Sequence, residues 1–446
     1  VPSGGLFDGV LARGPVAAAV DDGAFVQAML DFEQALAAAQ AETGLIEPQA
    51  AEAIAAACRA EDYDPAAIGA QAPSIGNPAG PLVQALTARV DEPGRGHVHR
   101  GATSQDVIDT AMMLVARRAL VALTADVDGA AFAAGALARV HRATPMAGRT
   151  LLQQAVPTTF GLVAAGWMTA LDAASDRLDI VRRERLAVQL GGAAGNLASL
   201  GGHGIAVLEA MAAQLDLPAP ALPWHTDRAR VAELAGALAQ TCGAAAKVAR
   251  DVVLLSQTEV GEVREGRGGG SSTMPHKHNP VAAVCALGAA RQAPGLAATL
   301  LASMEQEHQR AAGAWHAEWA PLRALLVATG SAAAWLRDCL EGLEVDPERM
   351  CANLDLTGGL LLAEHVTTAL TGAIGRGSAH ELVERAARAA DEDTRPFADV
   401  LGEDPQVREH LGPERVAELL DPTGYLGSAP VLVDRALRAH DQRRTA

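Results

Sequence analysis

GRGHVHRGATSQDVIDTAMMLVARRALVALTADVDGAAFAAGALARVHRAT, residues 94–144, runs from Pro93 to Pro145 without a proline. Proline lacks the amide hydrogen and clashes with the preceding turn, so helix interiors rarely tolerate it. Within this stretch Val107, Ile108, Ala111, Met112, Leu114, Val115 and Leu120 recur at helical spacing. Working outward, Pro157 to Pro218 and Pro223 to Pro275 are likewise free of proline, and Val231, Leu234, Leu238, Val248, Val252, Leu255 and Val260 repeat the pattern. A helix of about 30 residues spans about 45 Å, longer than one small globule. Several such Ala-rich helices predict a bundle in which each helix has more than one buried face, and hence an oligomer; a large monomeric helical domain is the alternative.

Composition agrees. Of 446 residues, 49% are hydrophobic and 20% charged, which places the chain among folded proteins. Aromatics make up 3%, while Ala and Leu dominate the apolar set, a mixture that favours helical cores. The fold class read here is all-α, with minor strand content: no strand–turn–helix rhythm and no fixed-period repeat is visible. Turn signals at Gly76-Asn77-Pro78 and Asp91-Glu92-Pro93-Gly94, and a break at Thr357-Gly358-Gly359, divide the chain into three expected units. These are an N-terminal helical domain (1–110), a central long-helix bundle (111–354) and a small C-terminal helical domain (355–446).

The net charge of −17 disfavours nucleic acid and anionic membrane surfaces as partners, while leaving room for an anionic small molecule in one positive pocket. Five dispersed cysteines without a C-x-x-C pattern read as reduced thiols, and VPSGGLFDGVLARG at the start shows no export signal; a cytoplasmic location is expected. The charge-free windows Thr150–Leu171 and Leu186–Leu208 are interrupted by Gln, Pro, Gly, Asn and His. They read as buried or site-lining segments rather than membrane spans.

Chemistry concentrates in GRGGGSSTMPHKHNP, residues 266–280. Gly268, Gly269 and Gly270 can expose backbone N–H groups to developing negative charge, and the composition is that of a mobile lid. A phosphate-binding P-loop would need a Lys before Ser271 and a preceding strand, and neither is present. His276 and His278, like His97 and His99, have H-x-H spacing, but no Cys or carboxylate completes a ligand set, so no metal is expected. Elsewhere, Thr103, Ser104 and Gln105 precede a helix, where hydroxyls can bind a carboxylate or simply cap the helix. Thr150 and Gln153 lie in a charge-free window, where a buried amide needs a partner, either a substrate carboxylate or a backbone carbonyl. Arg310, with His308 and His316, supplies cationic or switchable charge, with an ordinary surface role as the alternative.

GSSTMPHKHNP resembles the GSSxMPxKxN signature of the fumarase/aspartase superfamily. Further stretches match along the chain: GNPAGPLV (76–83), HRGATSQDVIDTA (99–111), GRTLLQQAVPTTFG (148–161), LGGAAGN (190–196), LLSQTEVGEV (254–263) and LDPTGYLG (420–427). Within the superfamily, these and EHQRAAGAWHAEW (307–319) are most similar to the bacterial 3-carboxy-cis,cis-muconate cycloisomerase family.

The resemblance implies a cofactor-free homotetramer with shared active sites and a small polycarboxylate substrate. It implies that Ser271 is the catalytic base in elimination and the proton donor in the reverse direction. Lys277 and Asn279 would hold the carboxylate that becomes a dianion, while His99, Thr103, Ser104, Gln105, Thr150, Gln153, Met274 and Arg310 would bind substrate. The reaction implied is carboxylate addition to, or β-elimination from, a muconate through an aci-carboxylate carbanion. A lyase releasing fumarate by expelling an amine or nitro group from a substituted succinate is the alternative, and a catalytically silent relative a third. The chain departs from the pattern at Leu151, where many lyases have His and the cycloisomerases Trp. It departs again at Arg100, where Trp is frequent, and at Asn196, where Thr is usual.

Overall fold

The computed structural model describes residues 5–266, 269–270 and 274–445. The chain is mainly helical. Five long helices dominate: α1 (Asp22–Glu42), α2 (Ser104–Val140), α3 (Phe160–Glu184), α4 (Ala229–Leu255) and α5 (Ala314–Glu341). Short strands are β1 (Pro145–Thr150), β2 (Gln153–Thr159), β3 (Val263–Glu265), β4 (Gly269–Gly270), β5 (His278–Asn279) and β6 (Leu343–Val345). They pair antiparallel as β1 with β2, β3 with β6 and β4 with β5.

The periodic positions of α2 and α4 are interior. Val107, Ala111, Val115 and Leu120 are 0% exposed, as are Leu234, Leu238, Val248 and Val252. Residues 105–116 are buried without a break, so this stretch of α2 is covered on every side. By length and composition α2 and Val281–Ala302 could each cross a membrane. In α2, however, Gln105, Asp106 and Asp109 are buried and hydrogen-bonded to other segments, as in a core helix.

Contacts group the chain into two compact units. The first contains Val1–Asp128, Ala173–Lys247 and Cys285–Leu336; the second contains Gly129–Asp172, Val248–Val284 and Arg337–Ala446. Every boundary falls within a helix: α2, α3, α4, Val281–Ala290 and α5. In the second unit, Val366, Leu370, Leu382, Val383, Phe397, Leu401 and Leu419 form one apolar cluster among the C-terminal helices. All five cysteines are free thiols, and burial foremost pushes Cys58 up to about 12 and Cys242 up to about 11.

The Thr150–Leu171 window, expected to be buried or site-lining, is not buried at its start. Thr150 pairs with Gln153 at the β1–β2 turn, and Leu151 and Leu152 between them are 97% and 74% exposed. Both leucines have positive φ, 51° and 66°, which the tight turn imposes. Absence of charge here marks a projecting turn, not an interior segment.

Candidate active site

The start of α2 is organised by Asp106. Its fully buried carboxylate accepts hydrogen bonds from Thr103 N (2.9 Å), Gly191 N (3.0 Å), Gly192 N (2.9 Å) and the His225 ring (Nε2, 2.7 Å). An acceptor-only group thus caps the helix from within its first turn and pins the LGGAAGN segment against it. Gly192 has φ 66°, a left-handed conformation that glycine adopts without strain. The Thr103 hydroxyl accepts from Arg310 Nη1. Arg310 Nε donates to Gln105 Oε1 (3.2 Å), and Gln105 Nε2 donates to the His225 carbonyl (2.8 Å). Thr103, Gln105 and Arg310 therefore meet in the first unit, a half-buried cation and a hydroxyl at a helix N-terminus. That is a favourable setting for a carboxylate. Ser104 is half-buried at the first position of the helix.

Behind this cluster lies a buried ionic network. Arg228, 1% exposed, donates to Asp109 from Nη1 and Nη2 (2.9 and 3.0 Å) and to Glu318 from Nε and Nη2 (3.0 and 2.6 Å). Trp315 Nε1 also donates to Asp109 (2.9 Å), Gln105 Nε2 to Asp109 (3.2 Å) and Gln306 Nε2 to Glu318 (3.0 Å). Burial opposes the Arg228 charge, but the Asp109 charge and the hydrogen bonds to both carboxylates outweigh it and hold the guanidinium protonated. Two carboxylates share one cation, so burial, and also the Asp109 charge, push Glu318 up despite Arg228. The network ties α2, the start of α4 and the EHQRAAGAWHAEW segment into one block that carries Gln105 and Arg310.

His99 sits beside this region with φ 58°. Its backbone N and ring Nδ1 both engage the buried Glu33 carboxylate, at 3.1 and 2.7 Å. Burial lowers the imidazole pKa, but the Glu33 hydrogen bond and charge, with the Asp106 charge, overcome this and raise it above 6.5. A raised folded-state value means the pair stabilises fully below the unfolded value of about 6.5 and loses that stabilisation as pH rises through the folded value. Thermal melts from neutral to alkaline pH should therefore show a decline in midpoint that His99→Gln flattens; identical slopes in the two proteins would refute the pairing.

The Arg100 guanidinium donates to the Leu45 carbonyl (3.2 Å), and Asn196 accepts from Ala198 N within its own turn (3.2 Å). His316 Nε2 lies on the Gly76 carbonyl (3.0 Å), while His308 is exposed.

The second unit holds the remaining expected residues. β4 and β5 form the stem of the glycine-rich loop, with Gly269 opposite Asn279 and Gly270 opposite His278. A Cβ at Gly269 would lie 2.6 Å from Val281 Cγ2, so close packing as well as N–H exposure explains this glycine. Glu265, 8% exposed, accepts from Ala282 N (3.0 Å) and Ala283 N (2.8 Å), fixing the helix that leaves the loop. Lys277 is exposed, its N–H bonded to the Met274 carbonyl (3.0 Å), and Met274 is 42% exposed. Ser271 and Gly268 lie outside the described residues. Thr150 and Gln153 are exposed at the β1–β2 turn. Below them Arg149 forms a two-point ion pair with the buried Glu262 (2.9 and 2.6 Å), which also accepts from Asn353 (2.8 Å). Among the described residues no group of three or more His, Cys, Asp or Glu is placed to hold a metal.

Asp106, Asp109, His225, Arg228 and Glu318, which the motifs do not single out, form the buried polar frame behind Thr103, Gln105 and Arg310. A signal was present in GATSQDVIDT: two aspartates one turn apart, interleaved with Val107, Ile108, Ala111 and Met112, must find buried partners.

The profile of the Lyase family matches residues 13–295, and that of the adenylosuccinate lyase C-terminus matches residues 359–436. The chain is 50% identical over 434 residues to the 3-carboxy-cis,cis-muconate cycloisomerase of Bradyrhizobium diazoefficiens, covering 96% of each chain. It is 46% identical over 457 residues to the nitrosuccinate lyase of Streptomyces davaonensis, covering 99% of this chain and 96% of the relative. The crystal structure of the 3-carboxy-cis,cis-muconate lactonizing enzyme of Pseudomonas putida superposes with a TM-score of 0.93 at 44% identity, over 98% of this chain and 99% of that one. With matches of this length on a mainly helical fold, the chain belongs to the Lyase family and is an enzyme of the fumarase/aspartase superfamily.

Proposed function

We propose that this enzyme interconverts 3-carboxy-cis,cis-muconate and its carboxymuconolactone. The observation that carries the reading is the end-to-end likeness, 50% over 434 residues, to a cycloisomerase of that name. In the lactonising direction a substrate carboxylate oxygen forms the new C–O bond. The π-electron pair moves toward the carbon next to a second carboxylate, giving an aci-carboxylate, and that carbon takes its proton from the Ser271 hydroxyl. Lys277 stabilises the dianion as a point charge and Asn279 as a neutral donor. Thr103, Ser104, Gln105 and Arg310 hold another carboxylate away from the reacting carbon, with Met274 lining the loop. His99, held by Glu33, flanks them, and Thr150 and Gln153 reach substrate across a subunit contact.

This scheme needs a homotetramer in which segments of different subunits complete each site. Large apolar side chains at the surface of the single chain support assembly: Val121 and Phe132 of α2 are each 57% exposed, and Leu301 is 53% exposed. Three domains are proposed, 1–110, 111–354 and 355–446, with loop 266–280 as lid. The enzyme is placed in the cytoplasm, without metal, cofactor, membrane or nucleic acid in its chemistry.

A second reading is favoured by the 46% identity to a nitrosuccinate lyase. There the same carbanion would expel nitrite from a substituted succinate and leave fumarate. An ultraviolet assay separates the two. Loss of diene absorbance with 3-carboxymuconate is the expected result; fumarate from nitrosuccinate, with no change in the muconate, would overturn the first reading.

A further inference from the structure

Glu33 of α1 is 1% exposed, and among the described residues no Arg or Lys pairs with it. Its hydrogen bonds go to one residue: Oε2 accepts from His99 N (3.1 Å), and Oε1 meets the ring Nδ1 (2.7 Å). A buried carboxylate needs a counter-charge, and His99 is the group placed to supply it. Burial opposes an imidazolium there, but the Glu33 hydrogen bond and charge, with the Asp106 charge from α2, outweigh it. The other ionisable neighbours are occupied. Burial first, and the Glu33 charge second, push the Cys58 thiol up to about 12, while Arg100 Nη1 lies 3.2 Å from the Leu45 carbonyl and 3.5 Å from His97 Nδ1.

The same two contacts hold His99 in the left-handed backbone region, φ 58°, which a non-glycine residue seldom adopts. Surroundings that keep a residue there point to a task for its side chain. The task falls to Nε2. This nitrogen makes no hydrogen bond among the described residues, is not among the orphaned atoms shut off from solvent, and belongs to a side chain 21% exposed. Ala102 N donates to the His99 carbonyl (3.4 Å), so His99 sits on the turn that leads into Thr103, whose hydroxyl meets Arg310. We propose that Glu33 is a positioning residue for carboxylate binding: it clamps the His99 backbone and Nδ1 so that Nε2–H is presented as a donor to a substrate carboxylate beside the Thr103–Arg310 pair. Fixing one proton on Nδ1 decides which nitrogen faces outward, and a charged ring makes the outward bond a strong one. The proposal rests on the carboxylate site proposed at Thr103, Gln105 and Arg310, and not on which reaction follows there.

The test is calorimetric titration of the full-length assembled protein with tricarballylate, a saturated tricarboxylate without a leaving group. Each variant's affinity is taken relative to the parent at the same pH, so the ligand's own ionisation cancels. Glu33→Gln is expected to bind about tenfold more weakly at about pH 7.5, and the deficit should shrink to about threefold or less at about pH 6, as the ring regains its proton. A change confined to packing would leave that ratio constant with pH. Glu33→Asp, which keeps the charge, should lose less than Glu33→Gln, and Glu33→Gln combined with His99→Gln should lose no more than His99→Gln alone. His99→Gln gives an arm independent of how the Glu33 variants fold: its deficit should be largest at about pH 6, where the parent ring is charged, and shrink toward about pH 8.5. A ratio constant with pH in either single variant, or additive losses in the double variant, would overturn the proposal and leave the carboxylate site and its reaction standing. No saturable binding to the parent at millimolar concentration would overturn that site and this proposal with it.

Discussion

Arg228→Leu is expected to destabilise the protein by roughly 3–5 kcal/mol, the range for removing one partner of a buried ion pair. Arg228 is 1% exposed and Asp109 and Glu318 are 0% exposed, so neither carboxylate can turn to water once the guanidinium is gone. Four donor contacts at 2.6–3.0 Å disappear together. The loss comes mostly from the stranded charges, because a wholly apolar replacement of similar volume is often neutral. Combining Arg228→Leu with Asp109→Asn and Glu318→Gln should therefore recover much of the stability, although the polar amides still need partners. Urea melts at fixed protein concentration, which holds the assembly contribution constant, measure both effects. A single-variant loss below about 1 kcal/mol would show that the network is dispensable.

Ser271→Ala is expected to lower kcat by roughly 10²–10⁴, the usual contribution of a positioned proton donor or acceptor, with substrate affinity little changed. An alanine cannot deliver a proton to carbon, and the neighbouring groups proposed for the dianion, Lys277 and Asn279, stabilise charge without replacing that transfer. The assay is loss of diene absorbance, with helix content checked by circular dichroism. Unchanged turnover in a folded variant would remove Ser271 from the reaction and leave the proposed carboxylate site at Thr103, Gln105 and Arg310 without a proton source.

The helices were readable because their signal is local. Val107, Ala111, Val115 and Leu120 lie on α2 at spacings that only a helix brings to shared faces, and each is buried. The glycine-rich loop stood out as a motif, since Gly269, Gly270, Lys277 and Asn279 are close in sequence, but the pairing of β4 with β5 that the structure shows there did not. What escaped was long-range pairing. Asp106 meets His225, and Asp109 meets Arg228, across separations of 119 residues, and periodicity carries no information about a partner that far away. The β1–β2 turn was hidden for another reason. An uncharged run such as Thr150-Leu151-Leu152-Gln153 has the same composition whether it is covered or projecting, and only the positive φ values of the two leucines reveal the turn.

Asp106 has one further consequence, for how the sequence can drift. Every group it meets is a donor: three backbone amides, an imidazole nitrogen and, at 3.5 Å, the Gln189 side-chain amide. Asparagine, equal in size, would turn an NH₂ group toward at least one of them. Glutamate keeps the acceptors but brings a methylene into a position with no exposed surface. Neither of its nearest chemical neighbours can replace it alone, so the glycine pair after Leu190, His225 and this aspartate are bound to change together or not at all.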